Sequence, residues 1–270
     1  VAPGDTEASG PVTPSTPRRP PSTTAQPNHP TPADNPSQPS PPPSPPTPAA
    51  RMPDAATEPT TTPPAPRTRD AERSRQAILA AARDAFTETG LGGTRIDDIA
   101  ARAGVDKKLV YYYYKTKDAL FLAALESVYA DIRGQEAGLA LDSLPPVDAI
   151  TRLVEFTWQY HLDHPEFIAL INSENLHKAR HLAASGRIRE LNSPVIEMLA
   201  GVLERGRAAG VFRGGVDPQQ LYITIAGLSY FYLSNRHTLA VIFGRPTDSP
   251  KALTERISHI RDVVLGYLLR

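Results

Sequence analysis

Residues 94–117 contain two short runs of helical periodicity set back to back around a single glycine. Thr94 can cap the first run, in which the apolar positions Ile96, Ile99, Ala100 and Ala103 recur at three and four. Gly104 supplies the left-handed stop. Asp106 caps the second run, whose Val110 and Tyr114 lie one turn apart and pack inward. A helix turns about 100° per residue, so Tyr111, Tyr112, Tyr113 and Tyr114 point right round its cylinder and some of those rings must face solvent or a partner. Lys107, Lys108, Lys115 and Lys117 surround them, with no acid between 107 and 117. Such a surface suits phosphates and base edges, and the whole reads as a helix-turn-helix.

Charge supports that reading. Residues 67–117 hold eleven Arg or Lys against seven Asp or Glu, although the full chain balances at 29 against 29, so the positive charge is local.

Three blocks then carry a resemblance. Ser74-Arg75-Gln76-Ala77-Ile78-Leu79-Ala80-Ala81-Ala82 with Phe86 and Gly90 forms the first. Thr94-Arg95-Ile96-Asp97-Asp98-Ile99-Ala100 with Ala103-Gly104-Val105 forms the second. Val110 to Tyr114 with Lys117-Asp118-Ala119-Leu120 forms the third. In order and spacing, over roughly residues 70–122, they resemble the N-terminal domain of the tetracycline-repressor (TetR) family of bacterial transcription regulators. Two positions depart from the usual pattern: Tyr113 stands where the family often has histidine, and Tyr114 where it usually has phenylalanine. The resemblance implies an all-α protein in which residues 70–118 bind DNA and residues 119–270 bind an effector and dimerise. Its implied function is a ligand-responsive regulator, by family habit a repressor, released from a near-palindromic operator by a small molecule. The alternative is a dimeric DNA-binding protein without an effector.

On that reading the recognition helices of two subunits enter successive major grooves about 34–36 Å apart. Thr94, Tyr113 and Lys117 would hold phosphates beside Arg95, while Lys107, Lys108, Leu109, Tyr111 and Tyr112 would meet base edges.

Residues 1–66 hold 22 of the 29 prolines and almost no large apolar side chain apart from Met52. A segment of this kind, taken as 1–69, is expected to be disordered, because it cannot bury enough apolar surface to offset its ordering entropy. It serves either as a solvated tail or as a proline-rich ligand. Arg18-Arg19 is followed by no apolar core, which argues against a signal peptide. The chain has no cysteine, which removes disulfides, thiolate catalysis and cysteine-based zinc sites. No apolar run reaches the length of a membrane span, since Leu221–Leu233 is broken by Thr224, Gly227 and Ser229. A cytoplasmic location with no membrane partner is expected.

From residue 118 onward the apolar spacing predicts helices only. They cover about 118–133, 147–163, 166–177, 187–209, 218–235 and 250–270, with Pro194 kinking or dividing the fourth. His164-Pro165-Glu166-Phe167-Ile168 with Asn172 to His177 resembles a C-terminal subgroup that includes regulators of pyrimidine and nicotinate breakdown. The same stretch crowds Asn172, Glu174, Asn175 and His177 beside an apolar wall, as a small-ligand pocket requires. The candidate pocket set is Phe121, Trp158, His161, Phe167, Ile171, Asn172, Glu174, Asn175 and His177. His177, His181 and Glu174 are turn-neighbours, but without a second ligand set they predict no metal. Neither a nucleophile elbow nor a phosphate-cradling loop nor a dinucleotide fingerprint is present, so no cofactor and no enzyme activity are expected.

Residues 221–233 are apolar on nearly every face and need cover on both sides. The last helix could supply it, within the subunit or from a second one. The expected dimer interface is Tyr222, Ala226, Gly227 and Tyr230 with Leu253, Ile257, Ile260 and Val264.

Overall fold

The computed structural model describes residues 66–270; most of the proline-rich tail, and the disorder expected of it, lies outside them. Among the described residues the fold is all-α, with one isolated antiparallel bridge between Phe212 and Leu269. Three helices form the head: α1 (Pro66–Gly93), α2 (Ile96–Ala103) and α3 (Lys107–Tyr114). α4 (Lys117–Ala137) leads into a bundle of α5 (Pro146–Asp163), α6 (Pro165–Leu176), α7 (Arg180–Ala183), α8 (Gly186–Ala208), α9 (Pro218–Ser234), α10 (Arg236–Phe243) and α11 (Pro250–Leu268). No helix among the described residues is long and apolar enough to cross a membrane.

Local chemistry sets most of the ends. Gly104 closes α2 at φ 66°, ψ 33°, and Asp106 caps α3 by accepting from the Lys108 amide. Thr116, Ser185, Asp217 and Ser249 each accept an amide three residues on, opening α4, α8, α9 and α11. Proline occupies the first turn of α5, α6, α9 and α11, where its missing donor costs nothing.

One expectation about capping fails, and of the two effects expected of Pro194 the division does not occur. α8 runs through Pro194 undivided: the proline removes a single ladder bond, and packing on α4 and α9 holds the helix to either side. Thr94 does not cap α2; Arg95 occupies that position without a side-chain bond. α1 breaks at Gly90 (φ 67°, ψ 175°), which turns Thr94 back so that its hydroxyl meets the carbonyls of Gly90 at 2.7 Å and Ala85 at 3.1 Å.

Burial divides into two clusters. Ile78, Phe86, Ile99, Val110, Tyr114, Leu120 and Phe121 form the head core, which continues through Leu125 and Val128 to Tyr160, Phe167 and Leu170 of the bundle. Leu153, Trp158, Leu199, Val202, Phe212, Leu221, Ile225, Ile260, Val264 and Leu268 form the second.

The interface expected on α11 requires correction. Ile260 and Val264 are each 1% exposed and belong to this second core, because the 260–264–268 stripe faces α5 and α9 of the same subunit. Leu253 and Ile257 pack against that core as well, partly buried. Tyr222 and Tyr230 turn their hydroxyls inward, to Arg133 and Asn172. On these two helices the open apolar surface is carried instead by Ile223, Gly227 and Phe231 of α9 and by Val263 and Tyr267 of α11. Of the expected set only Gly227 is exposed, while Ala226 is half-buried.

Candidate nucleic-acid interface and interior polar cluster

α3 is held to the head by Val110 and Tyr114, the latter donating its hydroxyl to the Arg75 carbonyl at 3.1 Å. That anchoring turns the opposite side outward. Tyr112 is 68% exposed, and Tyr111, Lys107 and Lys108 are exposed with it. Leu109 is half-buried against the head core, as is Tyr113, whose ring meets Tyr112 edge-on at 5.2 Å. Arg95 stands exposed at the start of α2, and Lys107 is 2.9 Å from Asp97, an exposed pair that a phosphate can replace cheaply.

Two expected phosphate ligands are engaged within the chain. Thr94 is 4% exposed, with its hydroxyl committed to backbone carbonyls. Lys117 donates to Leu91 O at 2.8 Å and Thr94 O at 3.1 Å, tying the start of α4 to the break in α1. Lys115, outside the expected set, adds a cation at the end of α3, exposed and 5.3 Å from the Tyr112 ring centre.

The expected pocket residues separate into four groups. Phe121 lies wholly in the head core, edge-on to Phe86 and His181 at 5.1 Å each, and Ile171 packs beside that core. Glu174 is a structural carboxylate: it accepts from the amides of His181 at 2.8 Å and Leu182 at 3.0 Å, and meets His181 Nδ1 at 2.5 Å. His177 Nδ1 instead meets the Ser173 carbonyl at 2.7 Å, and Asn175 is exposed. Trp158 belongs to the second core, tilted against Tyr232 at 5.9 Å. Among the described residues no three metal-ligating side chains converge.

His161, Phe167 and Asn172 do come together. The His161 ring stacks on Phe167 at 5.5 Å and 19°, and its Nδ1 lies 2.8 Å from Ser229 Oγ. Asn172 accepts from Tyr230 and donates to Ser234 Oγ at 3.0 Å. Sequence reasoning missed the rest of this cluster, Tyr129, Arg133 and Glu136 on α4. Arg133 donates to the Tyr222 hydroxyl, and its Nη1 lies 2.6 Å from Glu136 Oε2. The only sequence signal was an Arg and a Glu one turn apart beside Val128 and Ile132.

Burial shifts the two titratable groups in opposite directions. It raises Glu136 to about 7 despite the Arg133 charge, and it lowers His161 to about 4 with help from Arg133. Below about pH 6.5 the unfolded imidazole takes a proton that the folded one refuses until about pH 4, so His161 withdraws stability as pH falls. Glu136 acts in the opposite sense: its contribution is present below about 4.5 and lost as pH rises through 7. The two offset each other in the native chain, so a difference measurement is needed to see either. His161→Asn should be less stable than the native chain at pH 7.5, and the deficit should shrink by about 2–3 kcal/mol by pH 4.5. Urea unfolding of both chains across that range checks it; a constant deficit would mean that His161 is not buried neutral.

Comparison with known proteins agrees with this geometry. Residues 78–124 match the model for bacterial regulatory proteins of the tetR family, and residues 146–264 match a tetracyclin repressor-like C-terminal domain. The HTH-type transcriptional repressor NicS of Pseudomonas putida is 37% identical over 204 residues, 76% of this chain and 96% of NicS. The HTH-type transcriptional regulator RutR of Escherichia coli is 25% identical over 74% of this chain and 92% of its own. The crystal structure of FadR from Bacillus subtilis with stearoyl-CoA shares the fold, with a TM-score of 0.54 at 14% identity over 72% of this chain and 98% of that one. With its helix-turn-helix head, its helical body and a relative of that identity over nearly full length, the chain belongs to the tetR family of bacterial transcription regulators.

Proposed function

We propose that this chain is a homodimeric cytoplasmic repressor whose hold on a near-palindromic operator is released by a small molecule. Residues 70–118 act as the DNA-binding domain and 119–270 as the effector and dimerisation domain. The observation that carries the DNA-binding half is the outward face of α3, where Lys108, Tyr111 and Tyr112 stand exposed on a helix fixed at both ends. Lys108 and Tyr111 read base edges, Arg95 and Lys115 hold phosphates, and Lys107 exchanges Asp97 for the backbone.

Release follows from how the head is attached. The Leu91 amide donates to Ser173 Oγ of α6 at 3.3 Å, and Lys117 of α4 holds the Leu91 and Thr94 carbonyls. α4 and α6 therefore carry the head directly, and both also contribute to the interior polar cluster. A ligand that binds there with different affinities in two arrangements of α4 and α6 shifts the spacing of the two heads.

Titration of one labelled operator and its single-base variants at several salt concentrations tests the docking. Lys108→Ala should flatten the preference at particular base pairs, costing about 1–3 kcal/mol per specific contact. Arg95→Ala should weaken all sequences alike and reduce the salt slope by about one. The reverse pattern would overturn the docking of α3.

A further inference from the structure

We infer that a cleft between the end of α9, α10 and the start of α11 binds a ring-bearing phosphate monoester, with Arg245 and Arg256 holding the phosphate dianion. The cleft measures about 700 Å³, within the range of about 300–1,000 Å³ found for small-molecule sites. It shares no lining residue with the interior cluster of Arg133, His161 and Asn172, so the site is independent of the effector reading above.

Local contacts build the walls. Gly244 takes φ 62° and ends α10, so the chain turns back and the Arg245 amide bonds the Ala240 carbonyl at 3.2 Å. Thr247 fastens this return. Its hydroxyl donates to the Arg236 carbonyl at 2.8 Å, and its own carbonyl accepts from the Tyr232 hydroxyl at 2.9 Å. Arg245 is thereby set on the cleft wall, exposed and with no side-chain partner among the described residues.

Arg256 reaches the cleft from α11. Its Nη2 donates to the Leu228 carbonyl at 2.6 Å, and its guanidinium lies 5.2 Å from the centre of the Tyr232 ring. Nε is enclosed by protein, so Nη1 is the nitrogen left to a ligand. Burial holds this guanidinium below the usual arginine range, and Glu255, the acid lining the cleft, stands 3.8 Å from Lys251 instead. An anion in the cleft relieves that cost.

Charge and shape select the ligand. Lys251 and Glu255 cancel, which leaves the two guanidinium charges unbalanced and matches a dianion. A phosphate monoester carries nearly two charges above its second pKa of about 6, whereas a carboxylate carries one. His259, also on the wall, can donate a further hydrogen bond to a phosphate oxygen. Leu239, Phe243 and Pro246 supply an apolar side, and Phe243 is 66% exposed, so a flat ring laid there removes apolar surface from water.

The test titrates the full chain with phenyl phosphate and adenosine 5′-monophosphate at pH 7.5 and fixed ionic strength, read by calorimetry and thermal shift. Phenyl sulfate, adenosine and inorganic phosphate are the comparisons. At least one monoester should bind tenfold or more tightly than its singly charged or uncharged counterpart, and more tightly than inorganic phosphate. Arg245→Ala changes an exposed side chain and leaves the fold intact; it should weaken that binding tenfold or more, and Arg256→Gln should abolish it. Arg152→Ala, at an exposed cation of α5 outside the cleft, should not alter it. The inference is overturned if no monoester binds, if phenyl sulfate and adenosine bind as well, or if Arg245→Ala keeps the native affinity. Loss of operator affinity in Arg245→Ala with no monoester bound would overturn it too, and would assign these cations to the DNA backbone.

Discussion

Gly206→Ala should lower the stability of the fold by about 3–5 kcal/mol, the largest loss expected from adding one methyl group to this chain. A Cβ built on Gly206 falls 1.9 Å from Phe212 Cδ2, 2.5 Å from Cε2 and 2.6 Å from Cγ, so it would collide with the body of the ring and not with a movable tip. Phe212 cannot withdraw. It is fully buried in the second core, and its amide and that of Val211 both bond the Gly206 carbonyl, at 3.1 and 3.0 Å. Beyond it, the Arg213 amide bonds the Leu268 carbonyl at 2.9 Å, which fastens the turn to the end of α11. The protein must either strain this turn or expel the ring, and expelling a buried phenylalanine sets the upper figure. Thermal unfolding should shift down by roughly 10 °C for a domain of this size. Gly210→Ala is the control: it has positive φ and no neighbour within 4 Å of the added carbon, so it should cost only about 1 kcal/mol of backbone strain. Phe212→Leu introduced with Gly206→Ala should recover part of the loss. An unchanged melting curve for Gly206→Ala would show that the ring does not lie on that backbone.

The contrast between Gly206 and Gly104 shows what a sequence makes legible. Gly104, Asp106, Val110 and Tyr114 act on neighbours within one or two turns, so the helix-turn-helix and the outward face of α3 could be read from spacing alone. Thr94 was misread because its partners depend on the break at Gly90, four residues away, which redirects a plausible cap into an internal tie. Glu174 was misread for a similar reason. The turn that brings the His181 and Leu182 amides to it uses left-handed Lys178 and Ala179, residues that carry no turn signature. On α11 the apolar period was correct but silent about its partner; Ile260 and Val264 would fit a second subunit as well as they fit α5 and α9. Arg133 and Glu136 were passed over because charged residues on a helix are ordinarily solvated, and their burial is set by Tyr222, nearly ninety positions along the chain.

Phe231→Glu should turn the regulator into a monomer and cut operator affinity by about a hundredfold or more, while leaving the subunit folded. Phe231 is 58% exposed, so within one subunit the substitution replaces a ring that covers little and should cost less than about 0.5 kcal/mol. In the proposed dimer the same residue lies on the open line Ile223, Gly227 and Phe231, spaced four apart on α9, beside Val263 and Tyr267 of α11. Gly227 has nothing within 4 Å of a built Cβ, which gives a second helix room to approach closely along that line. Two-fold symmetry places each substitution in the interface twice, and each buries a carboxylate without a partner, at several kcal/mol apiece. Loss of the dimer carries into DNA binding because the second head no longer docks at the high local concentration that the first provides. Sedimentation velocity and operator titration on the same preparation separate the steps. A folded monomer with weak, half-site binding is the expected pair of results. A folded dimer that keeps its affinity would move the interface off α9 and α11, and Val241, Ile242 and Phe243 of α10, all exposed, would then be the next face to substitute.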